Sequence, residues 1–193
     1  MSEGDLFRRL SRLYSEMEEA YNRTAKAIGL TCEGCPDNCC TSYFQHHTYI
    51  EWAYLWEGII SCPDEMKRKI LAGAGEYVRE SQMLLAQGVR PRIMCPLNDR
   101  GLCQLYKYRL MICRMHGVPN SFVMPDGERI AFPGCSRCQV LYFDVKQVPV
   151  LDRTSFYKEL ASLEMAFMGG KIRALPKVDL TLAEMLVHGP PNI

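Results

Sequence analysis

Apolar positions recur at helical spacing through three parts of the chain. Leu6, Leu10, Leu13, Met17, Tyr21, Thr24 and Ile28 define an amphipathic helix over residues 5–28, opened by Ser2 and Asp5 and stopped by Gly29. The stretch TYIEWAYLWEGII is apolar on most faces, with Thr48 and Glu51 at capping-box spacing, and predicts a short, largely buried helix. A second long helix begins at Ser61, Pro63 and Asp64, turns Met66, Ile70, Ala74, Tyr77, Ser81 and Leu84 inward, and ends at Gly88. From 89 to 150 the helical period is lost to short segments broken by Pro, Gly and Asn98-Asp99, with one hairpin signal, SFVM-PDGE-RIAF. Over 150–188 helices resume: Phe156, Leu160, Leu163 and Phe167 share a face that ends at Gly169-Gly170, and a last helix opens at Thr181 with Glu184 in capping-box register.

The pattern predicts a mainly α fold in which helices flank an irregular, cysteine-rich metal-binding centre with one small β-hairpin. At 193 residues the default is a single domain over 1–193, with 32–138 as the cysteine-bearing region. The apolar stripe of the first helix reads as core, with a partner-binding seam as the alternative.

Composition changes the picture at one residue type. A hydrophobic fraction of 48%, 23% charged residues and a net charge of +1 are those of an ordinary globular protein and give no global attraction to nucleic acid or membrane. Ten cysteines are far more than packing needs. The N-terminal stretch MSEGDLFRRLSRLYSEMEE is charged and lacks the apolar core of an export signal, and no apolar run approaches the roughly 18 residues of a membrane span. The expectation is a cytoplasmic chain with reduced thiols, no membrane association, no nucleic-acid partner, and metal ligation as the use of its cysteines.

Those cysteines fall in groups. The stretch TCEGCPDNCC carries Cys32, Cys35, Cys39 and Cys40. A tight turn can aim the sulfurs of Cys32 and Cys35 at one metal, whereas adjacent side chains such as Cys39 and Cys40 tend to diverge. Cys95, Cys103 and Cys113 follow, with Asn98-Asp99-Arg100-Gly101 as a turn that folds Cys103 back toward Cys95. Cys135 and Cys138 form another CxxC just after the hairpin, and Cys62, before a helix-starting proline, reads as a packed thiol. Between 90 and 114 stand Arg90, Arg92, Arg100, Lys107, Arg109 and Arg114 against Asp99 alone, a local excess of positive charge suited to offsetting thiolates. His46, His47 and His116 read as packed or surface residues before they read as ligands, and no phosphate-binding loop or Ser-His-Asp signature stands out.

Over residues 32–138, the pattern C32-x2-C35-x3-C39-C40, then C95-P96, C103-x2-Y106-x2-R109 and C113-R114 resembles the cysteine-cluster (CxxCxxCC-type) family described as a zinc- or iron-chelating domain. Leu110 stands where that family usually has proline after the arginine, and three residues separate Cys35 from Cys39. The resemblance implies metal binding through the clustered cysteines, with Tyr106 and Arg109 supporting the ligand loops. A related domain in flagellin lysine methylase is associated with an iron-sulfur cluster, which raises iron-sulfur above zinc without transferring methylase activity. The expected function is therefore a metal-binding protein carrying an iron-sulfur cluster of the four-iron type, with a redox or maturation role. The alternatives are a zinc-stabilised interaction module that recruits a protein partner through its N-terminal helix and, more weakly, a metal-dependent protein-modifying enzyme similar to the methylase. Cys32, Cys35, Cys135 and Cys138 make one plausible ligand set, and Cys39 or Cys40 with Cys95, Cys103 and Cys113 another; spacing alone does not choose between partitions.

Overall fold

The computed structural model describes residues 2–33, 39–143 and 147–193. Its helices are α1 (Glu3–Ala27), α2 (Tyr49–Ile60), α3 (Asp64–Ala86), α4 (Met111–Met115), α5 (Ser136–Leu141), α6 (Thr154–Met168) and α7 (Leu182–His188). Its strands are β1 (Gln45–His46), β2 (Asn98–Asp99), β3 (Leu102–Cys103), β4 (Asn120–Val123), β5 (Arg129–Phe132), β6 (Leu151–Asp152) and β7 (Leu180–Thr181). The chain is thus mainly helical with small sheets, and no described helix is long and apolar enough to cross a membrane. The chain packs as two compact units, Met1–Asp37 with Met111–Leu163 and Asn38–Leu110 with Glu164–Ile193. The apolar segments are interleaved along the chain, so neither unit is continuous in sequence.

In the first unit, α1 starts at a reciprocal cap: Asp5 N–H donates to Ser2 Oγ at 3.2 Å and Ser2 N–H to Asp5 Oδ2 at 3.1 Å. Gly29, at φ +68°, ends it, and Leu30 N–H reaches back to Ala25 O at 2.8 Å. Leu6, Leu10, Leu13, Tyr14 and Met17 are buried, as are Met111 and Met115 of α4. The apolar stripe of α1 is therefore part of its own unit's core, each such side chain contributing about 1.5–3 kcal/mol by burial. The predicted hairpin forms as β4 and β5, with Ser121 opposite Ala131 and Phe122 opposite Ile130, and β6 adds a third, parallel strand beside β4. Arg153, 6% exposed, stands between the Phe122, Phe132 and Tyr157 rings at 5.5, 5.0 and 5.3 Å from their centroids.

The second unit holds one hydrophobic cluster, including Leu55, Ile59, Ile70, Ala74, Leu97, Leu105, Leu110, Met185 and Leu186. Helix α2 is buried on most faces, as its apolar sequence requires, and Gly58 lies so near Tyr108 that a Cβ there would stand 2.6 Å from the ring. The N-terminus of α2 is capped from afar. Glu164 accepts Tyr49 N–H and Ile50 N–H at 2.9 Å each, while Thr48 Oγ1 donates to Glu51. Helix α3 buries Ile70, Ala74, Tyr77 and Ser81 and packs on α7, whose Thr181 and Glu184 form the expected capping box. Strand β1 pairs antiparallel with β7, His46 opposite Leu180.

Candidate functional site

The short strands β2 and β3 supply the frame of the candidate site. Arg100 and Gly101 both have positive φ, +49° and +89°, which is the two-residue turn whose twist suits a hairpin. Asn98 starts that turn and accepts Gly101 N–H on Oδ1 at 3.0 Å. The register sets Asn98 opposite Cys103. Upstream, Asn98 N–H donates to Cys95 O and Cys95 N–H donates to Cys40 O, both at 2.9 Å. Leu97, fully buried, anchors the segment in the core. The turn read from Asn98 to Gly101 thus folds Cys103 back beside β2, which follows Cys95, and a single backbone bond brings the Cys39-Cys40 segment, a 3-10 turn over Cys39–Thr41, to Cys95.

Electrostatics single out one sulfur. Cys40 is lowered from 9.0 to about 6, first by a hydrogen bond from the Cys39 side chain, then by the Asn98 amide and the Arg109 guanidinium, with partial burial acting the other way. These neighbours favour its thiolate form. Arg109 also lies 4.9 Å from the Tyr106 ring centroid, so the two residues of the C-x2-Y-x2-R stretch stack on each other, with Tyr106 half exposed. Tyr77 of α3 is pushed up to about 12 by burial and by the neighbouring Cys95. Cys62 donates to Gly58 O at 3.3 Å and packs against the cluster, as a packed thiol should.

The remaining clustered cysteines belong to the first unit. Cys135 N–H donates to Gly117 O at 3.0 Å, which fixes the start of α5. Arg137, between Cys135 and Cys138, donates to Glu33 O at 3.1 Å and ties the Cys32 loop to the first turn of α5. Cys138 is fully buried and pushed up to about 11 by burial and by Cys135, so it stays protonated. Cys113 lies on α4. Cys35 lies outside the described residues.

All nine described cysteines are thiols rather than disulfides. Among the described residues, no three Cys, His, Asp or Glu side chains converge closely enough to hold one metal ion. The described residues therefore show no formed ligand sphere for the expected metal-binding centre. Two supporting residues differ in their surroundings: Arg109 acts on Cys40, whereas Arg114, nearly buried, sits 4.3 Å from the Tyr14 ring centroid and 3.7 Å from the Glu18 carboxylate on α1. Packing on α1 is therefore a structural task for Arg114 that its place beside Cys113 in sequence did not indicate. His46 is buried with Nδ1 unpartnered and is lowered to about 3 by burial, so it is neutral; His47 is exposed beside Asp179. Sequence reasoning missed Asn98 as a neighbour of Cys40 and Glu164 as the cap of α2. The first was visible as a turn residue between two cysteines, and the second has no local signal.

No protein-family model, no curated protein and no solved structure matches the chain.

Proposed function

We propose that the chain is a cysteine-ligated metal protein whose resident group is an iron-sulfur cluster of the four-iron type, serving redox or maturation chemistry. The observation that supports this most is the bond from Cys95 N–H to Cys40 O, together with the pairing of Asn98 opposite Cys103. Two stretches far apart in sequence, Cys39-Cys40 and Cys95 to Cys103, are thereby neighbours in one unit; with one sulfur of the adjacent pair they offer three of the four thiolates that such a cluster takes. The donor set fits in its chemistry: the thiolate form of Cys40 is favoured by the Cys39 side chain, the Asn98 amide and the Arg109 guanidinium. Loading requires the side chains to turn inward, because the described thiols are not closed on a common point. The cluster supplies one-electron chemistry when bound. The chain's own residues hold the sulfurs deprotonated (Arg109), close the ligand turn (Asn98, Gly101) and anchor it in the core (Leu97).

Anaerobic purification followed by iron, zinc and labile-sulfide analysis and a visible spectrum tests the reading. Brown protein with iron and sulfide is expected, and Cys95→Ser and Cys103→Ser should each lower both sharply. A colourless protein carrying stoichiometric zinc and no sulfide would overturn it.

The second reading is a structural zinc site in the first unit. It draws support from the Arg137 bond to Glu33 O, which holds Cys32 near the CxxC of Cys135 and Cys138. Zinc that survives Cys95→Ser but is lost in Cys135→Ser would favour it.

A further inference from the structure

We infer that Arg153, with the rings of Phe122, Phe132 and Tyr157, forms a binding site for a small organic carboxylate in the first unit; the inference does not rest on the metal reading. One face of the three-stranded sheet builds the site. Phe132 of β5 stands opposite Asn120, so it shares a face with Phe122, two positions further along β4. Phe122 stacks on Phe132 at 6.2 Å between centroids and leans on Tyr157 of α6 at 4.7 Å. Arg153 N–H donates to Ser121 O at 2.7 Å, which fixes the residue beside this cluster, and its guanidinium lies over all three rings.

What this cation lacks is an anion. Arg153 is 6% exposed, and its Nε is sealed from solvent without a hydrogen-bond partner. The carboxylate next to it in sequence, Asp152, serves the other face of the sheet, where it accepts from Thr154 and lies 3.9 Å from Arg129, which itself donates to Ser121 Oγ. The backbone adds to the imbalance. Arg153 O accepts Tyr157 N–H at 3.0 Å, so the residue stands at the N-terminus of α6, the positive end of a 15-residue helix, where a further cation is disfavoured. Aromatic faces offset part of that charge, but a buried guanidinium with no counter-charge remains costly, and a bound anion relieves both terms. A carboxylate fits best, because it accepts from Nε and an Nη in parallel within the guanidinium plane. Joined to a flat apolar body, it also offers a face to Phe132, which is 44% exposed on the edge strand β5 and is the wall that can swing to admit it. A phosphate meets the same fork but brings no face for the ring.

The test titrates the isotope-labelled full chain with benzoate, following the Arg153 Nε–H resonance by NMR and the heat of binding by calorimetry. Benzoate should bind with a Kd of about 1 mM or tighter and carry that resonance to a saturating shift. Inorganic phosphate should bind about tenfold more weakly or worse. Arg153→Gln and Arg153→Lys should each lower benzoate affinity about tenfold or more, the second because an ammonium keeps the charge and loses the fork. Arg129→Gln, on the opposite face, should change it less than about twofold. An unmoved Arg153 Nε–H resonance, wild-type affinity in a folded Arg153 variant, or an equal loss in Arg129→Gln would overturn the inference. Phosphate binding as tight as benzoate would overturn the carboxylate class, and tighter binding of an acetylated aspartyl peptide would overturn the small-molecule source. The resonance is read on the wild-type chain, so the inference stays testable even where an Arg153 variant does not fold.

Discussion

Two cysteines of this chain meet opposite fates. Cys40 sits at about 6, beside a donating thiol, an amide and a guanidinium; Cys138 sits at about 11, buried beside a second thiol. Both belong to short cysteine motifs that look alike as text. The difference comes from what each fold brings near: in the second unit a hairpin turn delivers polar donors and Arg109 to the sulfur, whereas in the first the sulfur is turned into the unit's interior. Motif spacing identifies candidate ligands, and the environment decides which of them is ready to bind at neutral pH.

The comparison can be broken most forcefully through the core beneath the turn. Leu97 is fully buried between Cys95 and Asn98, so Leu97→Ala should destabilise the protein by about 2–5 kcal/mol in chemical denaturation. Val140, two residues after Cys138, is 78% exposed, and Val140→Ala should stay within about 0.5 kcal/mol. Equal effects would mean that the turn is not rooted in the core.

A direct reading of the two sulfurs comes next in size. At pH 7 the thiolate fractions implied by pKa values of about 6 and about 11 differ by about four orders of magnitude. The lower intrinsic nucleophilicity of the more acidic thiolate offsets roughly half of that on a logarithmic scale. Cys40 should therefore be alkylated on the order of 100-fold faster than Cys138 in the metal-free protein, measured by timed labelling and peptide mass spectrometry. Comparable rates would erase the contrast.

Much of this architecture was legible in the sequence, and the reasons are local. The caps at Ser2 and Thr181, the stops at Gly29 and Gly88, and the SFVM-PDGE-RIAF hairpin all express bonds between residues a few positions apart. The turn at Asn98 to Gly101 was legible for the same reason. The parallel strand β6, the β1–β7 pairing and the Glu164 cap on α2 join residues tens to more than a hundred positions apart, where no periodicity carries information. The division into two units was hidden similarly, since each unit is assembled from separate stretches. At the site, residue types mark the sulfurs as candidates, but which of them become neighbours depends on the bond from Cys95 N–H to Cys40 O, which joins residues 55 positions apart and has no local signal.

Smaller effects sharpen the contrast at that turn. Gly101 has φ +89° with open space where a Cβ would go, so Gly101→Ala incurs conformational strain without a clash, about 1–2 kcal/mol by thermal or chemical unfolding. Gly134, at φ +84° beside Cys135, has no such space: a Cβ there would stand 2.6 Å from Gly117 O, and its replacement by alanine should cost more. A smaller cost at Gly134 than at Gly101 would show that the first unit's turn yields where the second unit's does not.

The smallest effect tests the charge itself. Cys39 is the largest influence lowering Cys40, and Arg109 is the last. Arg109→Gln should therefore raise the alkylation midpoint of Cys40 above about 6, and by less than Cys39→Ala does. The sign for stability follows from the folded value lying below the unfolded one: the contribution is full above pH 9, and it is lost as pH falls toward and through 6. Solvent screening at this half-exposed thiol keeps it small. Removing Arg109 should narrow that window from its acid side, so wild type and variant should converge in stability at pH 5 and differ most near pH 9. A difference that grows toward acid pH would mean that Arg109 serves the fold through its stacking on Tyr106, 4.9 Å away, rather than through the sulfur.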